Sequence, residues 1–102
     1  MNDKQLLELS ASAAWYPVRC RTAGTSYWLD SGRWDPLNSD ANAFRIMVDL
    51  NLNVFFLYGK AYAMDSESDH EQQVEIGNDK HAAMRMAIVL CAASIGKQMG
   101  GV

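Results

Sequence analysis

Arginine and aromatic residues are concentrated in the first third of the chain, and their types suit binding chemistry. Arg19 and Arg21 lie two residues apart, Tyr27 and Trp28 follow in the next apolar stretch, and Arg33 comes soon after. A guanidinium can pair with a phosphate while a neighbouring aromatic ring stacks on a base, which is how nucleotides and single strands are recognised. The same residue types dominate protein–protein hot spots. This cluster is therefore the predicted ligand- or partner-binding site.

The spacing within the cluster indicates which side chains can act together. Residues two apart on a strand project from the same face, so Arg19 and Arg21 share a face if this segment forms a hairpin. Tyr27 and Trp28 are adjacent and point to opposite faces, so one of them can stand beside the arginines. Three interpretations stay open, and the first is preferred: the aromatic rings lie at the edge of the core and the aliphatic parts of the arginine side chains cover them. The second is a protein interface, and the third is a nucleotide-sized ligand site.

The usual sequence patterns for catalysis and metal binding are missing. The chain has no Gly-x-Ser-x-Gly elbow to present a nucleophilic serine. The Gly-Lys pair in GKQMGG at 96–101 follows a predicted helix and not a strand, so it is not a phosphate loop. Carboxylates recur from residue 65, but an EF-hand loop needs Gly and Glu where His70 and Ile76 stand. We therefore predict a protein without catalytic activity, metal or cofactor.

The acidic segment from Asp65 to Glu75 has two other interpretations, a solvated loop or an acidic docking surface. Residues 35–102 carry five basic and nine acidic side chains, against four basic and three acidic ones in residues 1–34. The net charge of −3 argues against a general nucleic-acid-binding protein, which should show a basic excess. Another protein or a nucleotide-like molecule remains as the expected partner, and a homo-oligomer is compatible with the sequence.

Length and composition predict one domain over residues 1–102. The 49% hydrophobic content is near the globular average, which argues against a disordered chain. The apolar run from Met86 to Ala93 is too short to span a bilayer. The first residues lack the continuous apolar stretch of a signal peptide, and the two cysteines, Cys20 and Cys91, lie far apart. We expect a reduced cytoplasmic protein, with a single long-range disulfide as the alternative.

Hydrophobic periodicity and turn residues predict seven elements in the order α-β-β-α-β-β-α. The expected class is α+β, with one mostly antiparallel sheet of about four strands packed on helices. The continuous apolar run VFFLY is typical of a central strand covered on both faces. The last helix is apolar around most of its circumference and should be buried. The predicted helices cover 3–14, about 40–50 and 79–99, and the predicted strands cover 18–22, 26–30, 54–58 with a possible extension over 61–64, and 72–76.

A structural joint is predicted between the first strands and the second helix. Pro36 fixes its own backbone and disfavours helical geometry in the residue before it, so the chain must turn there. Ser39 or Asp40 can then cap the helix, whose Phe44 is expected to face the core together with Met47. We expect Trp34 to pack near the helix start and to fix the turn to the sheet.

Three segments resemble a family of small phage and prophage proteins. WDPLNSDANAFRIM at 34–47 is similar to that family's Trp-x-Pro-Leu-x-x-Asp-x-Asp-Ala-Phe/Leu-Arg-Leu pattern, and RMAIVLCAASIG at 85–96 is similar to its closing helix. LLELSASAA at 6–14 resembles its opening helix. The chain thus resembles the phage α-β-α sandwich domain family. It departs from it at Asn42, where an acid is common, at Cys91, where alanine is common, and over 57–73.

The resemblance implies a three-layer α-β-α sandwich and action in the cytoplasm of a bacterial host. It supplies no catalytic residue. The preferred function is that of a non-catalytic phage or prophage accessory protein that binds and modulates a host component, such as a defence protein. The alternative is a counter-defence protein that sequesters a nucleotide signal in an aromatic–arginine pocket, and an uncharacterised enzyme is the third possibility.

Overall fold

A long C-terminal helix forms the centre of the fold, and two small sheets and two shorter helices pack around it. The structure is a computed structural model that describes residues 2–21, 26–29, 31–66 and 70–100. No helix in these ranges is long and apolar enough to cross a membrane. The elements are α1 (Asp3–Ala14), β1 (Arg19–Arg21), β2 (Ser26–Leu29), β3 (Gly32–Trp34), α2 (Asp40–Asp49), β4 (Asn53–Leu57), β5 (Lys60–Met64), β6 (Gln72–Glu75) and α3 (Lys80–Gln98).

Helix α3 is buried along most of its length, as its apolar composition predicts. Asp79 caps its start by accepting a hydrogen bond from the Ala82 N–H at 3.0 Å. Small residues such as Ala87 and Ala92 are fully buried and allow neighbouring elements to approach closely. Cys91 is also buried in this helix and is a free thiol. The helix contacts α1, α2, β5 and β6.

The first and the last helix approach each other closely at Gly96. A Cβ atom built on Gly96 of α3 would lie 2.1 Å from the backbone oxygen of Leu9 in α1. Only glycine fits at this distance, because the obstructing atoms belong to backbone and not to a flexible side chain. Leu6 and Leu9 of α1 pack there with Val89 and Ala93 of α3 in a small apolar cluster. Gly96 therefore sets the spacing of the two helices.

The first sheet has the strand order β1-β2-β3, with both pairs antiparallel. The predicted hairpin of the first two strands is confirmed, although its predicted turn falls on residues outside the described ranges. The third strand, at Gly32–Trp34, was not predicted. Trp34, at the end of β3, pairs with Tyr27 across the sheet, and both rings are buried. Burial of the tryptophan side chain stabilises a strand only three residues long.

The second sheet has the order β4-β5-β6 and is antiparallel throughout. Ala61 and Ala63 of β5 are fully buried, and their small side chains allow α3 to lie on this face. The prediction of a central strand for the VFFLY run is wrong, since β4 is an edge strand and residues 55–57 are exposed. The central position belongs to β5, whose alternation of alanine with larger residues is the pattern of a half-buried strand.

The predicted joint is present between β3 and α2. Trp34 is 1% exposed and meets the ring of Tyr16 edge-on, with 6.0 Å between the ring centroids. The Asp35 N–H donates to the Asn42 side chain at 2.7 Å, which ties the turn to the first turn of α2. Ser39 is the N-cap and accepts from the Asn42 N–H at 3.2 Å, so Asp40 is the first helical residue.

One expectation for α2 is wrong. Phe44 does not face the core but is 57% exposed, and the buried residues of this helix are Ala43 and Ile46. The apolar stripe of α2 is rotated relative to the prediction because α2 contacts α3 through its small and branched residues. Val48, one turn after Phe44, is also exposed, so α2 presents an apolar outer face.

The α+β class is confirmed, and the arrangement of the strands differs from the prediction. Six strands form two separate three-stranded sheets in place of one sheet of about four strands. The two sheets are separated in sequence by the joint and α2, which carry the chain away from β3 before β4 begins. Each sheet is short, and each buries one face in the core that α3 completes.

Candidate functional site

The predicted arginine–aromatic cluster is divided between the two faces of the first sheet. Tyr27 is 4% exposed, and its hydroxyl donates a hydrogen bond to a carboxylate oxygen of Glu8 at 3.0 Å. It is a core residue and cannot form part of an exposed binding surface. The backbone of Arg21 pairs with Ser26 in the sheet, and the Arg21 side chain lies outside the described part of the structure.

Arg19, Trp28 and Arg33 form a row across the opposite face. Trp28 pairs with Arg19 of β1 on one side and with Arg33 of β3 on the other, so the three side chains project from the same face. Arg19 is exposed and Trp28 is half-buried. Arg33 makes a long ion pair with Asp35, with 3.6 Å between the nearest atoms. The register thus brings three of the five predicted site residues together.

A larger apolar surface lies on the second sheet, and we call it the β4 surface. It lies on the face away from α3, where the stacked rings of Phe55 and Tyr62 lie nearly parallel with centroids 4.8 Å apart. Leu57 is 46% exposed and Tyr58 is 89% exposed. Exposed aromatic and aliphatic side chains in contiguous groups mark interaction surfaces more often than isolated ones do. The β4 surface comprises Phe55, Leu57, Tyr58 and Tyr62.

The backbone of β4 has a free edge next to this surface. Tyr58 and Gly59 have φ angles of 52° and 74°, so they form a tight two-residue turn that makes Leu57 and Lys60 a hydrogen-bonded pair. Hydrogen-bonded and non-hydrogen-bonded pairs alternate along an antiparallel ladder. The N–H and C=O groups of Val54 and Phe56 therefore point away from β5, towards the free edge.

A cavity of about 230 Å³ lies beside the same strand on the α3 face of the sheet. Its walls are Phe56, Lys80, His81 and Met84. The Lys80 ammonium lies over the Phe56 ring, 4.4 Å from its centroid. In the described part of the chain, no carboxylate lies within ion-pair distance of this ammonium. The cavity therefore combines an apolar wall with an uncompensated cation.

Asp40 connects the start of α2 to α3 next to this cavity. Its carboxylate accepts from Arg85 at 2.6 Å and contacts the Nδ1 atom of His81 at 2.9 Å. The hydrogen bonds from Arg85 and then from His81 lower the pKa of Asp40, so the carboxylate stays charged. The Arg85 side chain also donates to the Leu37 carbonyl at 2.8 Å. The predicted joint residue Asp40 thus holds two helices together and contacts His81, which lines the cavity.

Two further perturbed groups are structural. Burial, with a smaller contribution from Asp65, raises the pKa of the Cys91 thiol to about 12, and its Sγ donates to the His70 carbonyl. Such a thiol is protonated at neutral pH and is a poor nucleophile. Burial and a hydrogen bond to Asp49 raise the pKa of the Tyr16 hydroxyl well above its ordinary value. Neither group belongs to a reactive arrangement.

No cluster of three or more histidine, cysteine, aspartate or glutamate side chains in the described ranges is placed to hold a metal ion. In the acidic segment, residues 67–69 lie outside those ranges, and Asp65 accepts a hydrogen bond from the His70 N–H at 3.4 Å. No protein-family model, curated protein or solved structure matches the chain.

The β4 surface was not predicted, because the VFFLY run was expected at the centre of a sheet. Two features of the sequence indicate an edge position for this run. Tyr58 and Gly59 have the length of a two-residue hairpin turn, which makes the following KAYAM segment the direct partner of β4. The alternation of alanine with larger residues in that segment marks it as the strand that packs against a helix.

Proposed function

We propose that this protein acts without catalysis, by binding an extended segment of another protein along strand β4. The proposal depends mainly on one observation, the unprotected edge of this strand. Residues 53–57 contain no charge and no proline, and Leu57 is exposed there. Natural sheets usually protect such edges with charged residues, proline or covering loops, because a free edge pairs readily with another strand. An unprotected edge is suited to strand addition.

The β4 surface supports this mode of binding. Backbone pairing supplies affinity in strand addition, and side-chain contacts on alternate positions supply specificity. A strand added next to β4 would place alternate side chains against Phe55 and Leu57 on one face and towards the cavity on the other. Tyrosine and phenylalanine are favourable contact residues because they bury a large area with few rotatable bonds.

A proline variant tests the proposal directly. Val54→Pro removes one N–H group from the free edge and leaves the pairing with β5 intact, because the Val54 N–H points outwards. The matched control is Gln73→Pro on the opposite edge strand β6. The Ile76 N–H donates to Gly59 at 3.0 Å, so the alternation along β6 makes the Gln73 N–H point outwards as well.

The probe is a yeast-displayed library of random twelve-residue peptides, screened against the wild type and both variants. We expect the wild type and Gln73→Pro to enrich the same peptides and Val54→Pro to lose their binding, with circular dichroism showing that both variants fold. A wild type that enriches no peptide would contradict the proposal. A wild-type dimer that becomes monomeric in Val54→Pro would also contradict it, because the edge would then serve a second copy of the chain.

The wider biological setting is proposed from the residue patterns at 34–47 and 85–96. On this basis we infer a phage or prophage protein that acts in the cytoplasm of a bacterial host, where its partner is a host component such as a defence protein. The three-layer α-β-α sandwich implied by the same resemblance is part of this proposal.

The row of Arg19, Trp28 and Arg33 favours a second candidate function, the binding of a nucleotide-like signal. Two guanidinium groups beside one indole ring suit a ligand with a base and a phosphate. A thermal-shift screen with nucleotides and cyclic dinucleotides tests it, since a ligand present far above its Kd raises Tm. A raised Tm that is lost in Arg19→Ala would favour this function over strand binding.

A further inference from the structure

The cavity beside β4 indicates what kind of segment the edge would accept, which extends the proposed function. Phe56 belongs to β4, and it pairs with the buried Ala61, so its side chain lies on the α3 face of the sheet. A residue of an added strand that pairs with Phe56 would project from this same face. Its side chain would therefore enter the space bounded by Phe56, Lys80, His81 and Met84.

The charges around the cavity favour an acidic side chain at that position. Lys80 is a cation without a carboxylate partner among the described residues, and its ammonium is held over the Phe56 ring. His81 adds a ring nitrogen, Nε2, that can donate when the imidazole is charged, since its Nδ1 atom already contacts Asp40. Both residues lie in the first turn of α3, where backbone N–H groups also favour negative charge.

Two carboxylates near the cavity are already engaged. Asp40 is compensated by Arg85 as well as by His81, with the Arg85 contact at 2.6 Å. Asp79 accepts from the Ala82 N–H as the helix cap. These contacts leave the Lys80 ammonium as the uncompensated charge of the cavity wall.

We infer that the segment bound along β4 carries an aspartate or glutamate side chain at the position paired with Phe56. This inference rests on the proposed strand addition and specifies its chemistry. The carboxylate pairs with Lys80, the methylene groups of the side chain contact Phe56 and Met84, and the neighbouring residues of the segment pack against the β4 surface.

The peptide selection described above tests the inference when it is repeated on Lys80→Gln. The matched control is Lys60→Gln, which removes the same charge from the other face of the sheet, where Lys60 lies 3.9 Å from Glu75. We expect wild-type and Lys60→Gln selections to enrich acidic residues at one fixed position, and Lys80→Gln selections to lose that preference. Library peptides are fused at their C-terminus, so the enriched group is a side chain and not a terminal carboxylate.

A double-mutant cycle then measures the pair itself. A selected peptide and its Glu-to-Gln form are compared on wild type and Lys80→Gln, and we expect the acidic group to strengthen wild-type binding about threefold to tenfold, with no gain on the variant. Peptides that need the β4 edge but show no acidic preference would overturn this inference and leave the proposed function standing. A failure of any peptide to bind the wild type would overturn both.

Discussion

Trp34 is buried at the joint between the first sheet and α2, where its ring meets Tyr16 edge-on. Its Nε1 atom has no hydrogen-bond partner among the described residues, so the side chain contributes through packing. We predict that Trp34→Ala costs about 3–5 kcal/mol of unfolding free energy, because the large cavity left behind cannot close fully. Chemical denaturation measures this cost.

Trp15→Ala is the matched control for Trp34→Ala. Trp15 is 82% exposed, so we expect its truncation to change the unfolding free energy by less than about 0.5 kcal/mol. A cost under about 1 kcal/mol for Trp34→Ala would show that the ring does not stabilise the joint.

Asp40 gives the protein a pH-dependent contact between α2 and α3. Its pKa is lowered in the folded protein, chiefly by the hydrogen bond from Arg85, so its stabilising contribution is full above about pH 4 and is lost as the pH falls through the lowered pKa. We predict that the Tm of Asp40→Asn is below that of the wild type at pH 7 and that the difference narrows as the pH falls below about 4.

Asp3→Asn serves as the control for this pH series. It removes the same charge from the first turn of another helix, where no cation of the described residues forms an ion pair with it. A Tm difference for Asp40→Asn that stays constant from pH 7 to pH 2 would show that the carboxylate charge does not stabilise the contact.

At the scale of elements, the spacing of α1 and α3 depends on Gly96. A methyl group there would lie 2.1 Å from the Leu9 backbone oxygen, so Gly96→Ala must push the helices apart. We predict a loss of about 3 kcal/mol or more, at or above the upper end of typical overpacking costs. For a domain of this size such a loss lowers Tm by more than about 10 °C, which calorimetry can measure.

Lys97→Ala, at the next position of α3, is the control because Lys97 is exposed, and we expect it to change stability by less than about 0.5 kcal/mol. A Gly96→Ala variant as stable as this control would mean that the helices can separate without cost.

The helices and strands differ in how well their sequences predict them. The starts of α2 and α3 follow from local chemistry, because Ser39 and Asp79 cap orphan N–H groups within three residues. The predicted start of α1 at residue 3 is confirmed, and its cap is Asn2, which exchanges hydrogen bonds with Gln5. The edge position of β4 depends on which strand lies beside which, and local sequence does not encode it.

The difference between local and long-range information also explains which features of the whole molecule could be predicted. The α+β class and the buried last helix follow from composition and periodicity. The division into two sheets, and with it the placement of Phe55 and Leu57 on an exposed face, depends on contacts between residues far apart in the chain. The proximity of Arg19 and Trp28 was accessible from sequence because the predicted hairpin brings their strands together locally. The position of Arg33 depends on β3, which was not predicted, and the cavity at Lys80 depends on the packing of α3 on the second sheet.

The central position of α3 also fixes the order in which the protein can fold during synthesis. Helix α1 buries Leu6 and Leu9 against α3, a helix that is synthesised much later. Until residues 80–98 have been made, the inner face of the second sheet lacks the helix that covers it. Contacts so distant in sequence form slowly and leave apolar surface exposed in the meantime. The fold is therefore completed only after residues 80–98 have been synthesised, and the segments made earlier keep part of their apolar surface exposed until then.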